Sequence, residues 1–257
     1  MDIKCLLKFG EREKISGIQT GKVWMSTPEA LRPLEHDLVK GQGDKLEGGM
    51  YINSSKIQLT NPTTGFSVTQ TGDFNFDILM DPVNKVPIYC MFAVYDSEVE
   101  SGEIKLGIET QTVIRDHFPK ADSVAVIKKP YDFIREFEAS IHDDNENTVI
   151  LCRSGKVNYF NMYGIGEKHA IDGRFIDFIT NGREPQRIDN KKQIPIYVDD
   201  AWRHLFCKDV FFQGEQEYRF ILPDVSVDKG RLFEVNISED IRIYGLDEFF
   251  ERMKAHQ

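Results

Sequence analysis

The sequence predicts an α+β fold: one domain across residues 1–257, built on a mostly antiparallel, twisted sheet with helices at its periphery. Strand-like and helix-like segments come in runs rather than in strict alternation, which separates this class from a doubly wound parallel sheet. No internal repeat, low-complexity tract or linker interrupts the 257 residues, and a 40% hydrophobic content supplies a substantial core.

Taken in order, Ile3–Phe9 is an apolar run closed by Gly10, a strand. "EREKISGIQTG" carries helix-forming charges and stops at Gly21, a short helix. "KVWMSTP" returns to strand character and breaks at Pro28, and "EALRPLEHDLVKGQGDKLEGG" then reads as a long exposed loop with one helical turn. "MYINSSKIQL" and Phe66–Thr69 are strands around the turn cluster "TNPTTG"; "FNFDILM" and "VPIYCMFAVYD" add two more. "VAVIKKPYDFIREFEASI" is a strand, a proline-led start and a helix with Phe133, Ile134, Phe137 and Ile141 on one face. "TVILCRSGKVNYFNMY" reads as a hairpin turning at Ser154-Gly155. "RFIDFITN" and "DDAWRHLFCK" are short helices, the second capped by Asp199 or Asp200. "QEYRFIL", "RLFEVNI" and "IRIYG" supply the last strands, and "LDEFFERMKAH" a terminal helix. Phe9, Val23, Tyr89, Met91, Phe92, Tyr218 and Phe220 are the expected centre of the sheet, because their runs have the aromatic and β-branched bias of buried strands.

Forty-two acidic against 32 basic residues give a formal charge of −10, which argues against a protein whose main task is to clamp a nucleic-acid backbone. Cys5, Cys90, Cys152 and Cys207 form no C-x-x-C pair, so reduced thiols are expected rather than a zinc site or a disulfide framework. The opening "MDIKCLLKFGEREK" lacks a signal-peptide pattern and no run of about 18 apolar residues occurs. A cytoplasmic protein without a membrane span is the expectation.

The stretch richest in chemistry is "FFQGEQEYRF", Phe211–Phe220. Period-two alternation sends Glu215, Glu217 and Arg219 to one face and Gln216, Tyr218, Phe220 and Leu222 to the other. One reading is a strand with a wet face and a core face. The other is a pair of functional carboxylates: Gln213-Gly214 lets the backbone approach a ligand closely, and Arg219 holds Glu217 ionised by charge pairing.

The order of "KCLLKFG", "EKISGIQTG", "VWMSTP" and a late strand opening with Glu-x-Glu resembles that of ADP-ribosyltransferases. The resemblance implies an enzyme that consumes NAD, transferring ADP-ribose to a protein or nucleic-acid acceptor. Cleavage develops oxocarbenium charge on the ribose, which a carboxylate near the 2′-hydroxyl stabilises. Glu217 is then the central carboxylate and Glu215 the acceptor-facing group. Ser26 and Thr27 supply pocket hydroxyls, and Gln213 and Arg219 flank the nucleotide. Lys8, or Lys4, stands where that family places Arg or His on its first strand. Ser-Thr-Pro is equally a helix entrance, with Ser26 or Thr27 as N-cap.

"LLKFG", "VWMSTPEALR", "GDKLEGG", "PIYCMFAVYD" and "FCKDVFFQGEQEYRF" are also similar, across residues 4–222, to motifs of the bacterial domain of unknown function 2971 family. That likeness implies a fold relative with defence or toxin roles in bacteria and their phages. It opens an alternative: a non-catalytic module that binds a protein partner in a phage-defence or anti-defence complex.

Three further features bear on the chemistry. "GQGDKLEGG" lacks the Gly-Lys-Ser/Thr of a phosphate loop and reads as an acidic loop carrying Asp44 and Glu47, near enough in sequence to Ser26 to act as a lid. Asp44-Lys45 with Glu215 and Glu217 suggests a nuclease core, but Arg219 stands where such a core needs lysine. The histidines His36, His117, His142, His169, His204 and His256 never approach helical metal-pair spacing, and His204 is expected to pack among Trp202, Phe206, Phe211 and Phe212.

Overall fold

A computed structural model describes residues 2–33, 44–60, 64–143, 146–162, 172–183, 187–188, 191–192 and 198–254. Residues 34–43 of the acidic loop, with its glycines Gly41 and Gly43, and the histidines His36, His169 and His256 lie outside them. The class is α+β on a large antiparallel sheet.

Strand β1 (Ile3–Gly10) leads into helix α1 (Arg12–Ile15), which tightens to a 3₁₀ turn over Ser16–Thr20. Gly21 ends the turn at φ 74°, and a Cβ there would lie 2.1 Å from the Val235 carbonyl oxygen. Glycine alone meets both demands. Strand β2 (Lys22–Ser26) ends at helix α2 (Pro28–Leu31), then β3 (Gly49–Thr60) and β4 (Ser67–Leu79) form a long two-stranded ribbon apart from the main sheet. "FNFDILM" is therefore the second half of β4 and not a strand of its own.

Next come β5 (Ile88–Tyr95), α3 (Ile108–His117), β6 (Ser123–Ile127), α4 (Pro130–Ser140), β7 (His142–Asp143), β8 (Glu146–Val149), β9 (Arg153–Lys156) and β10 (Asn158–Phe160). Helix α5 (Gly173–Ile179) precedes a 3₁₀ segment over Val198–Phe206, β11 (Cys207–Asp209), a second 3₁₀ segment over Val210–Glu215, and β12 (Glu217–Ile221). Strands β13 (Gly230–Glu234) and β14 (Arg242–Gly245) and helix α6 (Leu246–Lys254) complete the described chain.

The main sheet runs β8-β7-β13-β2-β5-β1-β6-β14, with β12 and β9 branching from β5, and each of its pairs is antiparallel. It forks at β5. One edge of β5 is paired to β12 from Ile88↔Ile221 to Phe92↔Glu217. The opposite edge takes β1 only from Phe92 onward and β2 only at Ile88↔Ser26. Strands β1 and β2 therefore splay apart along Tyr89–Met91. Because backbone groups alternate in direction and Ala93 N–H bonds Gln216 toward β12, the Cys90 carbonyl points into this gap.

Both faces of the sheet are covered. On one, Leu6, Met25, Tyr89, Met91, Tyr218, Phe220 and Phe233 pack against Phe133 and Phe137 of α4 and Ile141 at its end. On the other, Leu7, Phe9, Phe92, Val124 and Val126 meet Ile114 of α3 and Phe249 and Phe250 of α6, while Ile88 and Ile221 meet Leu205 and Phe206. All seven residues expected at the sheet centre are buried.

Two local readings are corrected. Ser154-Gly155 is not a turn but the middle of β9, where Gly155 lies opposite Arg219 of β12; this distant ladder overrides the local turn propensity of Ser-Gly. Asp44–Gly48, expected in an exposed loop, is a tight turn with Asp44 and Glu47 buried. Helix α3 has no counterpart in the sequence reading: its β-branched residues are weak helix formers and Gly107 gives no side-chain cap. Among the described residues, no helix is long and apolar enough to cross a membrane.

Phe220 is fully buried with its ring 4.1 Å from that of Phe137. Phe220→Ala should cost about 3–5 kcal/mol in urea unfolding; a loss below about 1 kcal/mol would mean that this aromatic layer does not hold α4 to the sheet.

Candidate functional site

The fork opens a cavity of about 460 Å³. Its floor is β5 from Ile88 to Phe92, uncovered along Tyr89–Met91; β1 contributes Leu7–Gly10, β2 contributes Val23, Trp24 and Ser26, and Asp44, Glu47, Lys208, Glu215, Glu217 and Arg219 close the polar end.

Arg219 organises that end. It is wholly buried, and its guanidinium makes two bidentate pairs: with Glu217 (Nε–Oε1 2.6 Å, Nη2–Oε2 3.1 Å) and with Glu47 (Nη1–Oε1 2.5 Å, Nη2–Oε2 2.9 Å). Nη1 also donates to the Leu205 carbonyl. Lys208 Nζ bridges Glu215 (2.6 Å) and Glu217 (3.1 Å). His117 Nδ1 donates to the other oxygen of Glu215 (2.9 Å). The backbone N–H of Glu217 donates to the Tyr159 hydroxyl (2.8 Å), and the Cys90 thiol lies near the Glu217 carboxylate and favours its ionised form.

Burial alone would push the Glu217 carboxyl up, but Arg219 and Lys208 outweigh it and hold it well below the ordinary value of 4.5. Burial likewise opposes the Lys208 ammonium; Glu215 and Glu217 prevail and hold it well above its usual range. Lys8 has a different environment. Its Nζ donates to the Cys90 carbonyl freed by the fork (2.7 Å) and lies 4.5 Å from the centre of the Tyr89 ring. Desolvation pulls this ammonium down, partly offset by Cys90 and Glu217.

The sequence-selected residues are distributed as follows. Glu215, Glu217, Arg219, Lys8 and Ser26 all line the cavity. Glu215 is not on the strand: it ends a 3₁₀ turn, and Gln216 in the left-handed region (φ 43°) turns the chain into β12. Neither glutamate faces water. The period-two split is kept in β12, but its polar side lies under Asp44–Gly48 and the Val198–Phe206 segment, so Glu217 and Arg219 are as buried as Tyr218 and Phe220. Thr27 is the N-cap of α2, accepting from the Ala30 N–H (3.3 Å), and does not line the cavity. Gln213 is exposed outside it. Lys4 is also outside, paired with Asp96 at 3.0 Å. His204 is buried edge-on to Phe175, and burial lowers it to about 4.

Sequence reasoning missed His117, because α3 carries it, and Cys90, which faces Arg219 only through the β5–β12 register. Lys208 was visible as the lysine ahead of Glu-x-Glu. Comparison of the chain with protein-family models, with curated proteins and with solved structures finds no match in any of the three.

Arg219→Met strips buried Glu47 of its cation and should destabilise the protein by about 3–5 kcal/mol at neutral pH in urea unfolding. The pH dependence should also invert. In the wild type, Glu217's depressed value contributes stability that is present above 4.5 and lost as pH falls below it. In the variant, protonating an unpaired buried carboxylate relieves the penalty, so stability rises on acidification. Parallel pH profiles for the two proteins would refute this account of the network.

Proposed function

We propose that the chain is an ADP-ribosyltransferase-like enzyme that consumes NAD, with Glu217 as the carboxylate that stabilises charge developing on the ribose. The observation that carries this reading is the meeting of Lys8 and Ser26, from the first two strands, with Glu217, from a strand late in the chain, around one cavity. Its volume of about 460 Å³ lies in the range of small-molecule sites. As the bond from ribose C1′ to nicotinamide breaks, the leaving nitrogen takes the electron pair and positive charge grows on the sugar. An ionised carboxylate fixed beforehand meets that charge without reorganising. Of the donor groups near it, the Cys90 thiol is the weakest, and it is the one a ribose hydroxyl would displace.

The rim supports the same ligand class. Lys22 and Lys120 are exposed there despite the chain's −10 charge, suited to a pyrophosphate, with Lys14 beside them paired to Glu11, and Trp24, 58% exposed, offers an aromatic face to a base. Glu215, gripped on both oxygens by His117 and Lys208, sets Lys208 against Glu217. A cytoplasmic setting in bacterial or phage defence fits, since NAD and reduced thiols are found there.

A second reading, a non-catalytic module for a protein partner, is favoured by the β3–β4 ribbon, which exposes Phe66, Val68, Phe76 and Leu79. The two readings separate on turnover. Glu217→Gln, assayed below its own lowered Tm and normalised to folded protein, should cut NAD consumption by ~10²–10³. Wild-type turnover in the folded variant would leave Glu217 as an anchor for Arg219 and favour the binding module.

A further inference from the structure

The four buried acids at the polar end of the cavity are not equivalent. Glu47 and Glu217 grip Arg219, and Glu215 holds Lys208 and His117. Asp44 is equally buried, at 3% exposure, yet only one of its oxygens is used: Oδ1 accepts from the Leu46 N–H (2.9 Å), while Oδ2 has no hydrogen-bond partner among the described residues. A buried acceptor left without a donor costs folding free energy, and one that lines a ligand-sized cavity is matched when a bound molecule brings an O–H or N–H.

We propose that Asp44 is the general base of the transfer step, its free Oδ2 taking the proton of the acceptor nucleophile. The inference rests on the NAD-consuming reading above. The acceptor oxygen or nitrogen bonds to ribose C1′ as the bond to nicotinamide breaks. Nicotinamide leaves neutral with the bonding pair, and the acceptor's proton passes to Asp44, so no further reagent is needed. Asp44 suits this place better than Glu215, whose two oxygens are already bonded.

The turn that carries Asp44 is fixed. Glu47 N–H donates to the Asp44 carbonyl, Gly49 N–H donates to the Leu46 carbonyl, and Glu47 is clamped by Arg219. Among the described residues, the charged groups facing Asp44 are Glu47 on its own turn, Arg32 at the end of α2, Lys208 on β11 and Arg219 on β12. Burial first, then Glu47, raise Asp44 to about 7 against the pull of the cations. Ionised above that value, it takes a proton; below it, protonated, it does not. A base so poised is effective near neutrality.

The experiment follows NAD consumption against pH in the wild type, Asp44→Asn, Asp44→Ala and Glu217→Gln, with Tm recorded for each. The wild-type rate should rise with pH through about 7. Asp44→Asn keeps the Oδ1 acceptor and hence the turn; it should lose that limb and ~10²–10⁴ in rate. Formate added to Asp44→Ala, occupying the space of the lost carboxylate, should restore part of the rate, which a merely structural aspartate would not permit. If the folded Asn variant keeps the wild-type pH profile, or formate gives no rescue, Asp44 is not the base. Loss of turnover in Glu217→Gln beside unchanged Asp44 variants overturns this inference alone. A wild type that leaves NAD intact overturns the reading beneath it as well.

Discussion

A single buried guanidinium holds the polar half of this molecule together. Arg219 stands on β12 but spends its donors elsewhere as well: on Glu47 in the turn before β3, on the Leu205 carbonyl, and on Glu217 of its own strand. Taking a guanidinium out of water is expensive, and only bidentate partners of opposite charge return that cost. Here there are two such partners, and Lys208 offsets the second carboxylate in turn. The Asp44–Gly48 turn and the Val198–Phe206 segment are thereby fixed over the sheet, and a polar end that would otherwise admit water becomes a closed wall.

The second constraint is the fork in the sheet. A continuous antiparallel sheet would satisfy both edges of β5 and leave no room beside it. Because β1 and β2 separate along Tyr89–Met91, the Cys90 carbonyl needs another donor, and the Lys8 ammonium supplies it. The same separation lets Glu217 and Ser26 face a common space. The cavity is thus a consequence of strand pairing, with polar residues recruited to what the pairing leaves open. Its acids are held in different states by their neighbours: Glu217 ionised beside two cations, Asp44 raised by burial and Glu47. Environments that drive like groups apart in this way are typical of sites that do acid–base work.

Much of the architecture was legible in local pattern. The apolar spacing of Phe133, Phe137 and Ile141 marked a buried helix face, and Gly21 marked a stop that its positive φ and the close Val235 carbonyl explain. The alternation from Glu217 to Ile221 was legible too, although Glu215 and Gln216 fall before the strand. What alternation cannot say is what lies over each side. Glu215, Glu217 and Arg219 look like a solvated face in one dimension; they are buried because segments well over a hundred residues earlier and immediately upstream fold across them. Ser154-Gly155 looked like a turn for the same reason in reverse: its partner, β12, is too distant in sequence to register in a local reading.

By itself, then, the sequence determined the class of fold, the core positions of the central strands and the set of polar residues worth watching. These depend on periodicity and side-chain type, which are properties of neighbours along the chain. Tertiary structure alone decided that Lys8, Ser26, Asp44, Glu47, Lys208 and Glu217 share one cavity, that Thr27 serves as a helix cap and Gln213 faces outward, and that His117 and Cys90 join the charged network. Those outcomes depend on strand register, on the fork at β5 and on the pairing of charges that water would otherwise separate, and such long-range terms leave no mark on any short stretch of sequence.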